Sequence, residues 1–237
     1  MSTPPADWKV LPHKPIEKLA ENLWRVEGDL EGMPLKRVMT LVKRANGSLL
    51  VHNAVALEEP AMAEIDAWGT VGEIIVPNSF HRIDAPRFKA RYPSAKVYCP
   101  KAARAKVEKV VPVDATYEDF ESDDTVRVDH VDGTGNGEGV LTVHSKDGVT
   151  LVFNDVIFNM PHFSGFQGWV FRNVTKSSGG PRVSRIGKFF LVKDKRAVIA
   201  HLERLAETSD LRRVIVSHHE MVTADAANAI RQAVATL

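Results

Sequence analysis

Leu151-Val152-Phe153-Asn154-Asp155 sets how the rest of the chain is read. Three strand-type apolar residues run straight into an amide and a carboxylate, with no glycine or proline between them. The turn pair Asp147-Gly148 precedes Val149, so the run is long enough for one buried strand. The same grammar occurs three more times. Leu49-Leu50-Val51 leads to His52-Asn53. Glu73-Ile74-Ile75-Val76 leads through Pro77 to Asn78 and His81. Arg213-Val214-Ile215-Val216-Ser217 leads to His218-His219-Glu220. In open α/β sheets, ligands lie beyond the carboxyl ends of the strands. Asn and Asp also follow strands as ordinary turn residues that bond their own backbone. Turn chemistry alone would favour glycine, serine or proline as readily as histidine, so the repeated pattern points to a site. Imidazole and carboxylate are the donors that a zinc, iron or manganese centre uses when cysteine is absent.

Outward from these runs the chain reads as layered α/β. Leu23 to Val26, Arg37 to Val42 and Ser48 to Val51 form an opening antiparallel meander, with a loop at Gly28 to Gly32 and a hairpin turn at Asn46-Gly47. Met62, Ile65 and Trp68 share a helical face in Glu58 to Trp68, and Gly69 is placed to end that helix in a left-handed turn. Asp84 is placed to cap a helix holding Pro86 and Phe88. Short strands at Lys96 to Tyr98, Thr125 to Val128 and Gly139 to Val143 follow, with a helix at Lys101 to Glu108. Amphipathic helices occupy Lys195 to Glu207 and Ala224 to Ala235. Residues 163–187 carry glycines, serines and Trp169 and read as a long surface excursion. Residues 1–20, rich in proline and lysine, read as an irregular arm before one domain over 21–237. His13, His144 and His201 fall in the arm, a turn and a charged helix, and are not site candidates.

The chain has 237 residues, 44% hydrophobic and 26% charged, which excludes wholesale disorder. Its 31 basic and 30 acidic residues leave a formal charge of +1, giving no general attraction for nucleic acid or an anionic membrane. The single cysteine, Cys99, excludes a disulfide framework and cysteine-rich metal modules. No apolar run reaches the ~20 residues that span a bilayer, and Met1 to Asp7 lacks a signal-peptide layout. The expectation is a cytoplasmic protein with a small-molecule substrate or ligand and no membrane, the oligomeric state left open. Basic runs at Lys101 to Lys109 and Lys188 to Arg196 are broken by Glu108 and Asp194, so nucleic acid is not expected.

These stretches, with Tyr92 to Tyr98 and Val156 to Asn159 added, resemble the metallo-β-lactamase superfold in the expected order over residues 20–237. That superfold is a four-layer αββα sandwich built from two similar halves. More closely, the chain resembles a bacterial family of unassigned activity related to those hydrolases. The resemblance carries the first histidine-rich ligand motif onto Asn78 to Ile83, where His81 is the one good donor. The histidine of a Gly-His-Thr loop would fall near Gly133-Thr134-Gly135, where there is none. The bridging aspartate matches Asp155, and the final histidine matches His218, with His219 where glycine is usual. His52 stands where an Asp-x-Gly turn is common, and Arg82 and Ile83 replace the motif's general-base aspartate.

This implies a reduced centre. His81, Asp155 and His218 would bind one divalent ion (Zn, Fe or Mn), with His52, His219 and His162 as supplementary donors and Asp155 and His81 as catalytic residues. The activity implied is hydrolysis of an ester, lactone, thioester or phosphoester. The alternative is a descendant without metal or catalysis that binds a small anionic ligand or a protein partner.

Overall fold

Asn46-Gly47 makes the hairpin that its residues specify. Gly47 takes φ +85°, and Asn46 Oδ1 accepts from the Ser48 amide at 2.9 Å. The computed structural model describes residues 7–237. It divides into two units, one ending at Val128 and the other Asp129–Leu237.

The first unit holds β1 (Glu17–Ala20), β2 (Leu23–Leu30), β3 (Met33–Lys43), β4 (Leu49–His52), β5 (Val71–Ile75), β6 (Lys96–Cys99) and β7 (Ala115–Thr116) in one sheet, in sequence order. β1 to β4 are antiparallel, and β4 to β7 are parallel. The switch is physical. Short connections of two residues (β1–β2 and β2–β3) and five residues (β3–β4) join the meander, whereas α1 (Glu59–Trp68), α2 (Ala85–Arg91) and a 3₁₀ turn with α3 (Arg104–Val107) supply the crossovers that parallel strands require. Met62, Ile65 and Phe88 from these helices bury against Leu49, Val51, Ile74 and Val97 in a continuous core. Each such fully buried side chain contributes roughly 1.5–3 kcal/mol. Trp24 and Trp68 stack with ring centroids 3.8 Å apart. Cys99, at the end of β6, is completely buried, and burial pushes its thiol up to about 12.

Three local expectations need correction. β2 runs through Gly28 to Leu30, so the turn there is only Glu31-Gly32. Gly69 is extended (φ 178°) rather than left-handed. Glycine suits that position because a Cβ would lie 2.9 Å from Gly47 O and 3.0 Å from Leu49. Asp84 precedes α2 but does not cap it with its side chain. Its buried carboxylate instead accepts from Arg37 Nη2 at 2.8 Å, from Arg87 and from the Ala56 amide at 3.2 Å. Two guanidiniums outcompete a backbone cap because charge-assisted bonds to a buried carboxylate are the stronger interaction. Of the expected arm, residues 1–6 lie outside the described residues, and Glu17–Ala20 form β1.

The second sheet has the order β13-β10-β9-β8: β8 (Val126–His130, within which the division between units falls), β9 (Gly139–Ser145), β10 (Gly148–Phe153) and β13 (Leu211–Val216). β9 and β10 form an antiparallel hairpin, and β10 and β13 are parallel. His144 is therefore not in a turn but on β9, opposite Val149. α6 (Lys195–Ala206) and α7 (Ala226–Ala235) pack Val198, Leu202, Ala226 and Ile230 onto Leu151, Phe153, Val214 and Val216. Asp194 caps α6 by accepting from the Arg196 and Ala197 amides at 2.9 and 3.1 Å. His201 is buried on α6, where its Nδ1 accepts from the Asp132 amide at 3.0 Å.

The expected structureless excursion at 163–187 is regular in part. β11 (Phe158–Met160) pairs with β12 (Gly180–Arg182), and α4 (Gly165–Trp169) continues into a π turn over Val170–Val174. α5 (Arg185–Phe190) follows, capped by Ser184, which accepts from the Gly187 amide at 2.9 Å. Among the described residues no helix is long and apolar enough to cross a membrane.

Candidate metal centre

In the first unit the polar sequels of β4 and β5 form one local network. Asn53, one residue past β4, adopts a left-handed backbone (φ +56°), a conformation asparagine tolerates better than most residues. Its amide nitrogen donates to Val38 O at 2.9 Å, which fixes the side chain so that Oδ1 faces His81 Nδ1 at 3.0 Å. Because that oxygen can only accept, His81 carries its proton on Nδ1 and presents the lone pair on Nε2. This is the arrangement by which an outer hydrogen bond selects the tautomer of a metal-binding histidine. The loop before His81 is built by Asn78, whose buried Oδ1 accepts from the Phe80 and His81 amides at 2.7 and 3.0 Å.

His52 behaves differently from its neighbours. It is 1% exposed, its Nδ1 has no hydrogen-bond partner, and its pKa falls to about 3. Burial is the larger cause and the charge of His81 the smaller. His52 is a neutral core residue at working pH. Arg82, one of the two residues in place of the motif's general-base aspartate, donates to the carbonyl of Lys106.

In the second unit the sequels of β10 and β13 meet. His218 Nε2 lies 3.1 Å from Asp155 Oδ1, and the His218 ring stacks on Phe158 with centroids 5.2 Å apart and planes 11° apart. Glu138 anchors the backbone of Asp155. It is fully buried, accepts from the Asp155 amide at 3.1 Å, and lies 3.4 Å from Asn154 Nδ2. The sequence reading passed over Glu138, which follows a glycine-rich turn. The one signal for it was a carboxylate separated by only Gly139 from the strand-type run Val140-Leu141-Thr142-Val143.

A donor separation of 3.1 Å suits a hydrogen bond. It is also close to the ~3.3 Å between neighbouring ligands on a tetrahedral ion with bonds of about 2.0–2.1 Å. His219 has φ +65°, which accounts for the superfold's preference for glycine there: the backbone is left-handed. Its ring tilts against Phe163 at 5.2 Å. His162 Nδ1 is 3.0 Å from Ser178 Oγ, and its ring packs where a Cβ on Gly179 would be, 2.5 Å from Cε1. Both supplementary candidates are thus held by the β11–β12 region. Thr134 Oγ1 donates to Val131 O at 2.7 Å and serves its own turn.

Comparison with solved structures decides the architecture. A structure of DIM-1 metallo-β-lactamase exposed to ceftazidime superposes with a TM-score of 0.64 at 14% identity, covering 96% of this chain and 99% of that one. The chain has the metallo-β-lactamase fold. A metallo-β-lactamase from Hirschia baltica gives 0.60 at 13% identity, covering 92% and 97%. The FIM-1 enzyme of Pseudomonas aeruginosa, in a mono-zinc form, gives 0.60 at 12% identity, covering 96% of each chain. No protein-family model and no curated protein matches the sequence. The α/β class read from the strand pattern is what this metallo-β-lactamase-fold chain has.

Proposed function

We propose that this metallo-β-lactamase-fold protein is a mononuclear metal-dependent hydrolase of an ester, lactone, thioester or phosphoester. The observation that carries the reading is the Asp155–His218 pair, a carboxylate and an imidazole offering donor atoms 3.1 Å apart at two adjacent strand ends. On this reading the donors are two imidazoles and one carboxylate, from His81, His218 and Asp155. They fit zinc best among common metals, since three nitrogen and oxygen ligands plus water complete a catalytic zinc site. The mono-zinc state of the FIM-1 neighbour supports the same stoichiometry. When bound, such an ion lowers the pKa of water and polarises a carbonyl or phosphoryl oxygen.

The chain's own residues divide the remaining work. Asn53 holds the His81 tautomer. Glu138 fixes the backbone of Asp155, and Phe158 holds the plane of the His218 ring. No carboxylate occupies the position of Arg82 or Ile83, so the carboxylate of Asp155 is the base left to take a proton from the attacking water. With Asp155 as the one negative donor, a bound dication would leave a net positive centre, which would favour the oxyanion that develops during acyl or phosphoryl transfer.

A second reading keeps the fold and discards the chemistry, leaving a protein that binds a small anionic ligand or another protein. Asn78 and Thr134 favour it, because both serve their own loops at places where the superfold's hydrolases have ligands. Elemental analysis of protein purified without added metal tests the first reading, together with chromogenic esters and phosphodiesters. Hydrolysis that is lost with chelator and restored by zinc supports the enzyme. Protein without metal, and with stability indifferent to chelator, leaves the second reading.

A further inference from the structure

The segment from β11 to the start of α6 differs in surface chemistry from the rest of the chain. Between residues 158 and 196 stand eight Lys or Arg and one acidic residue, Asp194, whose carboxylate is engaged in capping α6. The near-neutral total charge conceals this local excess. The same segment exposes large apolar side chains: Phe166 and Phe189 are each 77% exposed, and Trp169, Ile186 and Phe190 are more than half exposed. The two stretches that carry them abut. Arg185 at the start of α5 donates its amide to Thr175 O at 2.8 Å and its guanidinium to Val174 O at 3.3 Å. Lys188 is surrounded by Lys176, Arg182, Arg185 and Lys195, whose combined charge, after burial, holds its pKa below the ordinary lysine value.

We infer that this aromatic and basic face docks the protein on an anionic lipid surface, with Phe166, Trp169, Ile186, Phe189 and Phe190 entering the headgroup boundary and the surrounding cations meeting acidic headgroups. Interfacial binding requires this combination of apolar area and positive charge. Single-stranded nucleic acid is the other polyanion to weigh, and the geometry disfavours it. Base stacking needs open ring faces, whereas Phe166 and Trp169 already stack on each other at 6.1 Å and Phe190 stands edge-on to Phe189 at 5.0 Å. Ile186 and Val174 gain nothing from bases but gain from burial in lipid. This peripheral contact departs from the expectation of no membrane, which rested on charge averaged over the whole chain.

The test is co-sedimentation of the full chain with phosphatidylcholine vesicles, with and without about 30% phosphatidylglycerol, at low and high salt. Binding is expected to the anionic vesicles only, and to weaken as salt rises. The double variant Phe166→Ser/Phe189→Ser, folded by circular dichroism, should bind at least about tenfold more weakly, since two exposed rings lose their burial. Three results would overturn the proposal. One is no sedimentation with anionic vesicles at low salt. The second is equal binding by the double variant. The third is a dimer in solution that the same variant dissociates, which would make this face an interface between copies. Tight binding of oligothymidylate with no vesicle binding would assign the face to nucleic acid instead.

Discussion

The two units end their strands in the same way and draw different chemistry from it. Each places a non-glycine residue with left-handed backbone just past a buried strand, Asn53 in the first and His219 in the second. In the second unit the sequels of β10 and β13 bring a carboxylate against an imidazole. In the first unit the sequels of β4 and β5 bring amides and imidazoles together: Asn53 and Asn78 hold His81, and His52 is buried. The lesson is that strand-end polarity specifies where side chains converge, whereas the residue type decides whether they bind or brace. On our proposal one unit supplies two donors and the other supplies one well-oriented donor on a scaffold of neutral groups.

The strongest way to break this comparison is to remove the donor pair. His218→Ala or Asp155→Asn is expected to abolish metal occupancy near one ion per chain, read by elemental analysis, with activity lost in parallel. If either variant keeps full occupancy, the second unit is not the main source of ligands.

The next largest effect concerns the brace. His52 stays neutral in the folded state down to about pH 3, whereas the unfolded chain protonates it near pH 6.5. Below about pH 6.5 the unfolded state therefore binds the extra proton, and stability falls as the pH drops. At pH 4.5, two pH units below the unfolded value, the loss is about 3 kcal/mol. His52→Leu should remove most of that slope in urea titrations of metal-free protein at pH 7 and 4.5 while leaving metal stoichiometry intact. A slope unchanged by the substitution would show that His52 is not the group responsible.

A smaller effect is expected at Asn53. Asn53→Ala removes the acceptor that fixes the His81 tautomer and should weaken metal affinity by about 10- to 100-fold, the usual range for an outer hydrogen-bond partner. Competition with a chromogenic chelator measures it. Unaltered affinity would reduce Asn53 to a turn residue. The smallest effect belongs to His219→Gly, which relieves a left-handed non-glycine backbone and is expected to stabilise the fold by up to ~1 kcal/mol. Occupancy should not change; a marked drop would restore His219 as a donor.

Much of this was legible in the sequence because strand periodicity and strand-end polarity are local signals. Leu151 to Asp155 and Val214 to His218 carry both, and their meeting follows from the parallel pairing of β10 and β13. What escaped depends on contacts distant in sequence. Glu138 lies in a glycine-rich turn, and its burial is decided by Asn154 and Asp155, which a reading of the turn does not see. Asp84 looked like a cap until Arg37, 47 residues earlier, claimed it. Gly69 was read for its backbone freedom, whereas the nearness of Gly47 is what excludes a side chain. Residues 163–187 were opaque because a five-residue helix, a π turn and a three-residue strand are each shorter than any periodicity that marks them.

The position of Cys99 at the sealed end of β6 has a practical corollary. A sulfhydryl that stays protonated and out of solvent reacts slowly with maleimides and peroxide alike. A single cysteine engineered beside Phe189 would then be the only rapidly modified one, and a fluorophore attached there would report the polarity of whatever that face touches.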